Sequence, residues 1–151
     1  MSIEWNYKKF ADLSNDELYA ILRLRIEVFI VEQNCVFQDA DNKDQSSYHV
    51  MAWKEGMLLA YARLVPAGIS YSEPSIGRVV TSPSARSLGM GKILMEKAID
   101  ILYINWGKKD IKIGAQLYLE RFYNSLGFQR TSDIYMEDGI EHIEMMLHTP
   151  S

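Results

Sequence analysis

Ile76-Gly77-Arg78-Val79-Val80-Thr81-Ser82-Pro83-Ser84-Ala85-Arg86-Ser87-Leu88-Gly89-Met90-Gly91-Lys92 passes from a β-branched run, through a Pro/Ser turn, to two glycines that lead onto apolar residues at helical spacing. Ile76–Thr81 predicts a strand. From Gly91 to about Ile104, Leu94, Met95, Ala98, Ile101 and Leu102 share one face and predict an amphipathic helix. Between strand and helix, Gly89 and Gly91 let the backbone come close to a ligand, and the unpaired amides and dipole of a helix start favour negative charge. A diphosphate suits such a cradle. The two common nucleotide loops are excluded by spacing, because a Walker loop needs four residues between its first glycine and Gly-Lys. The dinucleotide fingerprint needs a glycine three residues after Gly91, where Leu94 stands.

Upstream of this segment, Ile3–Lys8 predicts a first strand, and Ser14-Asn15-Asp16-Glu17 is a capping box that starts a helix. Leu18, Ile21, Leu22, Ile26 and Phe29 form that helix's apolar face, interrupted by Arg25. The polar stretch from Gln38 to Ser47 has neither helical nor strand period and predicts a surface loop. Tyr48–Lys54 and Met57–Val65 predict a hairpin across Glu55-Gly56. Downstream, Ile111–Ala115 predicts a strand, Leu119, Phe122, Tyr123 and Leu126 a third helix capped by Gly127, and Phe128–Met136 with Ile140–Leu147 a closing hairpin around Asp138-Gly139. This order predicts a mixed α/β fold (α+β, one mixed sheet) with helices packed on it, and residues 1–151 read as a single domain.

The chain has a formal charge of -4, which argues against a protein that grips nucleic-acid phosphates over a wide surface and suits a cationic partner better. The lone Cys35 rules out an intrachain disulfide or a Cys-rich zinc site and suits a reducing, cytoplasmic compartment. Neither a signal-peptide pattern nor an apolar run of membrane-spanning length is present, so no membrane partner is expected.

Arg86-x-x-Gly89-x-Gly91 after a strand resembles the coenzyme A diphosphate motif of the GNAT superfamily of N-acyltransferases, and Leu119-Glu120-Arg121-Phe122-Tyr123-Asn124-Ser125-Leu126-Gly127-Phe128 resembles that superfamily's second hallmark. The segments Arg25–Cys35, Gly114-Ala115-Gln116 and Glu137–His142 are similar to the ElaA-like branch, so the resemblance covers essentially the whole chain. It implies a GNAT-like (acyl-CoA N-acyltransferase) fold: a central twisted mixed sheet with helices on both faces, splayed between its fourth and fifth strands to take the pantetheine arm. It also implies acetyl-CoA as cosubstrate, direct acetyl transfer to a primary amine of a small molecule or peptide, and room for a homodimer, which no residue demands. A sensor of the same fold that binds acyl-CoA without turnover is the alternative.

Under this resemblance, backbone groups of Val79, Val80 and Thr81 pair with the pantetheine arm and polarise the thioester. Arg86, Ser87, Leu88, Gly89, Met90, Gly91 and Lys92 wrap the diphosphate, and Asn124 joins the cofactor contacts. Tyr123 corresponds to the tyrosine that protonates the departing thiolate, although Leu119, Phe122 and Leu126 on its face would equally suit a core tyrosine. Glu32 and His142 are candidates for handling the amine proton, with water as a third. Gln33, Asn34 and Gln116 are candidate acceptor contacts.

Other signals are weaker. Asp39–Asp44 fails as a calcium loop, since Lys43 and Val50 occupy ligand positions. Asp39 and Asp41 would either edge the acceptor cleft and draw in a cationic amine or be plain solvated loop charges. His49 and His142 lack metal-ligand spacing, so no metal is expected. An acyl-homoserine-lactone synthase is hinted at by Arg25-x-x-Val28-Phe29, but the intact Arg86–Gly91 loop speaks against it.

Overall fold

The computed structural model describes residues 2–150. The chain runs β1 (Glu4–Lys9), α1 (Asn15–Arg25), β2 (Tyr48–Lys54), β3 (Met57–Val65), β4 (Ser75–Thr81), α2 (Met90–Trp106), β5 (Ile111–Gln116), α3 (Glu120–Asn124), β6 (Gln129–Arg130), β7 (Tyr135–Glu137) and β8 (Ile140–Leu147). Helix α1 starts at the expected capping box: Glu17 N–H donates to Ser14 Oγ at 3.0 Å, and Ser14 N–H donates to Glu17 Oε1 at 2.8 Å. Its far end continues as a wider π-helix over Ile26–Glu32, a local unwinding of the kind found at functional sites.

Strands β1-β2-β3-β4 form one antiparallel sheet and β5-β8-β6 another, with β7 also paired to β8. The sheets meet where Lys112 N–H donates to the Pro74 carbonyl at 3.0 Å. Since β4 and β5 both start at this bond, they run parallel, and the assembly is the mixed sheet expected. Beyond the bond they part around a cleft of about 910 Å³.

The sheet is covered on both faces, which explains why β3 is a nearly unbroken apolar run. On one face Leu94, Met95, Ala98 and Leu102 of α2 pack on Ala52, Ala60, Ala62, Leu64 and Ile113. The three alanines let the helix lie close. On the other face Ile21, Leu24 and Val28 pack on Met51, Leu58, Tyr61 and Val80. Each fully buried leucine, such as Leu94, contributes about 2 kcal/mol from leaving water.

Three expectations need correction. Gln38–Ser47 is not a plain surface loop, because Asp39, Asp44 and Ser47 are buried. The third helix is short, with a 3₁₀ turn at Leu117–Leu119 and an α-helical stretch only at Glu120–Asn124. Phe128–Met136 is not one strand: Ser132 Oγ takes the Glu144 N–H at 2.8 Å, and the chain bulges between β6 and β7. The β7–β8 turn is as expected, with Asp138 and Gly139 both at positive φ, the pair of conformations a two-residue hairpin needs.

Candidate active site

β4 forms one wall of the cleft. Its pairing with β3 slips by one residue between Tyr61/Val80 and Arg63/Gly77, a bulge at which Arg78 takes φ +50°. A bulge re-aims the backbone locally, and here it does so beside Val79, Val80 and Thr81, all of which line the cleft. An arginine in the left-handed region is strained by about 1–2 kcal/mol. Its guanidinium supplies the compensation: Nε donates to Asp39 Oδ1 at 2.8 Å, Nη2 donates to the Asp39 carbonyl at 3.1 Å, and the group lies 5.5 Å from the Phe37 ring centre.

Arg78 is the outermost member of a largely buried ionic cluster. Arg25 Nε donates to Asp39 Oδ2 at 2.9 Å and its Nη1 to Asp44 Oδ1 at 2.7 Å. Arg63 Nη1 donates to Asp41 Oδ1 at 2.8 Å and to Asp44 Oδ1 at 2.9 Å. Burial pushes the Asp44 carboxyl up, but the hydrogen bonds and charges of Arg25 and Arg63 override it and hold the group below the usual carboxylate range; Asp41 behaves alike, with Arg63 as its main partner. His49 beneath them is fully buried, with Nε2 2.9 Å from the Asp44 carbonyl and Nδ1 2.7 Å from Tyr61 Oη. The carbonyl can only accept, so Nε2 carries the proton and the Tyr61 hydroxyl donates to Nδ1. Burial pushes the His49 pKa down. Asp39 and Asp41 are thus neither solvated loop charges nor free carboxylates; they are neutralised by arginine, although Asp41 still borders the cleft.

Beyond β4 a 3₁₀ turn, Pro83–Leu88, leads to Gly89 at φ +67°, and α2 begins at Met90. No side chain caps this helix start and its first turn holds no acidic residue, so the amides are available to an anion. A Cβ on Gly89 would meet nothing within 4 Å, so what the glycine supplies is the left-handed backbone. Of the loop residues, Arg86 reaches the cleft wall; Ser87, Leu88, Gly91 and Lys92 lie outside the lining, and the Met90 side chain is in the core.

The opposite wall comes from Ile113–Gln116 of β5 and from Tyr123 of α3. Tyr123 packs edge-on against Phe122 and Phe128, with ring centres 5.1 and 5.9 Å away. Burial, with a smaller contribution from Tyr118, pushes its phenol up to about 12, so it holds its proton throughout the physiological range. Its surroundings are those of a core tyrosine and its position is in the wall of the cleft.

A splayed parallel pair, a bulged β4, an uncapped anion cradle and a protonated phenol therefore surround one cleft. Residues 11–149 match the model of the acetyltransferase (GNAT) domain. The chain belongs to the GNAT acetyltransferase family. Within it, the chain is 41% identical over 145 residues to protein ElaA of Escherichia coli, with 95% of each chain covered. It is 39% identical to a UPF0039 protein of Synechocystis sp., covering 99% of this chain and 98% of the relative. A solved acyl-CoA N-acyltransferase from Pseudomonas aeruginosa superposes with a TM-score of 0.92 at 42% identity, covering 96% of this chain and 99% of that one.

The other end of the GNAT cleft gathers the remaining candidates. Gln33 and Gln116 both line it and touch each other, Gln116 Nε2 donating to Gln33 Oε1 at 3.4 Å. His142 lies opposite Gln116 in the β5–β8 register and lines the cleft too. Its Nδ1 sits 2.8 Å from the Ile140 carbonyl and therefore carries the proton in the neutral ring, leaving a lone pair on Nε2, which is 3.5 Å from Glu137 Oε2. Cys35 is buried, and its Sγ donates to the Asp138 carbonyl at 3.2 Å, tying the end of the π-helix across the cleft to the β7–β8 turn. Asn34 and Asn124 lie outside the lining, Asn34 at positive φ on an exposed turn.

Glu32 and Arg86, nominated for separate tasks, are partners. Arg86 grips Glu32 with both terminal nitrogens, Nη1 to Oε2 at 2.7 Å and Nη2 to Oε1, spanning from the π-helix to the 3₁₀ turn before α2. The hydrogen bond from Arg86 holds the Glu32 carboxyl below its ordinary value. Sequence reasoning missed Arg78, Glu137, Lys43 and Tyr118, which also line the cleft. A signal existed for Arg78, since Arg25, Arg63 and Arg78 each interrupt an apolar pattern while three aspartates crowd one loop.

Proposed function

We propose that this protein is an acetyl-CoA-dependent N-acetyltransferase that moves the acetyl group directly to a primary amine of a small molecule or peptide in the cytoplasm. The observation that carries the reading is the gap between β4 and β5, with the backbone of Val79–Thr81 on one side and protonated Tyr123 on the other. The uncapped start of α2 fits the diphosphate by its donor chemistry, with Arg86 and Lys92 as flanking cations.

In this scheme the neutral amine attacks the thioester carbonyl, and a carbon–nitrogen bond forms while backbone N–H groups of bulged β4 stabilise the oxygen as it gains charge. The carbon–sulfur bond then breaks and the thiolate takes the Tyr123 proton. The amine's own proton passes to His142 Nε2 or to water. Glu32 is a poor acceptor for it while Arg86 holds the carboxylate low, and it serves better as an anionic contact for the acceptor. Gln33 and Gln116 orient that acceptor. In the ordinary case much of the rate comes from holding amine and thioester together.

The test is release of free thiol when acetyl-CoA is mixed with a panel of primary amines, including peptides. Thiol release with one amine class above the hydrolytic background supports the assignment. No release with any amine, from protein that binds acetyl-CoA, overturns it.

A further inference from the structure

The ion pair between Glu32 and Arg86 joins the two substrate sites of the proposed reaction. Arg86 opens the cradle for the diphosphate, and Glu32 ends the π-helix that borders the acceptor side of the same cleft. Without a ligand each satisfies the other, in a two-point contact that uses both terminal guanidinium nitrogens. The Arg86 side chain is 44% exposed and that of Glu32 42% exposed, so the pair can be exchanged without unpacking anything. Exposed ion pairs are held weakly. A diphosphate offers a guanidinium more charge and the same two-point geometry, and the α2 amides hold that diphosphate against the loop.

We propose that the coenzyme's diphosphate displaces Glu32 from Arg86, and that the freed carboxylate then binds a cationic group of the acceptor other than the amine that reacts. Acyl-CoA loading therefore switches on the acceptor site. Glu32 is an acceptor-binding residue masked by Arg86 until the cradle fills. The neighbours are suited to the exchange. Glu27, whose carboxylate also acts on Arg86, keeps an anion near the guanidinium when Glu32 leaves, and Gln33, next in the chain to Glu32, already reaches the acceptor wall at Gln116. The inference rests on the acyltransferase reading, since it assigns the cradle to coenzyme A.

The test is a double-mutant cycle read by calorimetry with coenzyme A alone, which needs no knowledge of the acceptor. Glu32→Gln removes the competitor and should tighten coenzyme A binding by about two- to five-fold, the range expected for an exposed pair. Arg86→Gln should weaken binding, and Glu32→Gln added to Arg86→Gln should then change nothing, because the carboxylate has nothing left to release. If Glu32→Gln tightens binding equally with and without Arg86, the effect is general repulsion of phosphate and the switch is wrong. If Glu32→Gln leaves binding unchanged, the switch is also wrong. Neither result touches the acyltransferase reading, which fails instead if the unaltered protein takes up no coenzyme A. Once an acceptor is known, Glu32→Gln should raise its KM at least ten-fold with little change in kcat.

Discussion

Tyr123 shows how far one residue's chemistry follows from its surroundings. It packs like a core tyrosine, and that burial raises its phenol to about 12, so the oxygen keeps its proton well beyond neutral pH. Tyr123→Phe keeps the packing and removes only the proton, so turnover should fall by about 10²- to 10⁴-fold with acetyl-CoA affinity nearly unchanged, as measured by steady-state rates beside calorimetry. Because a phenol raised this far does not ionise before strongly alkaline pH, any alkaline loss of activity below about pH 11 belongs to another group. His142 offers a complementary case. Its identity as a candidate came from the resemblance, but its tautomer, fixed by the Ile140 carbonyl, could come only from coordinates.

At the level of elements, the start of α1, helix α2, the first hairpin and the Asp138-Gly139 turn were legible because each is specified by local pattern: a capping box, apolar spacing, a Glu-Gly or Asp-Gly turn. The π-helical end of α1, the bulge in β4 and the broken strand after Phe128 were not, because each is imposed by partners far away in sequence. The Gln38–Ser47 loop is the clearest instance. Its composition is that of a solvated connection, yet Arg25, Arg63 and Arg78, from three different elements, draw its aspartates inward. The arginines' interruption of apolar patterns was visible; which charges they meet was not. Arg25→Met leaves Asp39 and Asp44 buried beside fewer cations and should cost about 3–5 kcal/mol in a denaturant titration. Substituting Arg23, exposed on the same helix, should change stability by less than about 0.5 kcal/mol.

For the whole molecule, the perturbed groups of this cluster set how stability responds to acid. Asp41 and Asp44 lie below the ordinary carboxylate value when folded, so their contribution is complete above that value and is lost progressively as the pH falls from it toward the lower folded values. His49 is also depressed when folded, from an ordinary 6.5, so below that pH the unfolded chain takes up the proton first and stability begins to fall. Denaturation midpoints should therefore decline gently from pH 7 to 5 and steeply below 4, and His49→Gln should flatten the first segment while leaving the second. The splay that makes the cleft was likewise beyond the residues' own pattern. The sequence specified β4 and β5 as strands, but that they join only near Pro74 and Lys112 and then part depends on α2, α3 and the two sheets packing together.

The inner cluster contains three arginines and three aspartates, so it cancels internally and the whole formal charge of -4 resides outside it. Dissolved electrolyte screens exposed charges but reaches buried ones poorly. Raising sodium chloride from dilute buffer to half molar should leave the melting temperature almost untouched while loosening coenzyme uptake, so ionic strength separates what builds this protein from what it recruits.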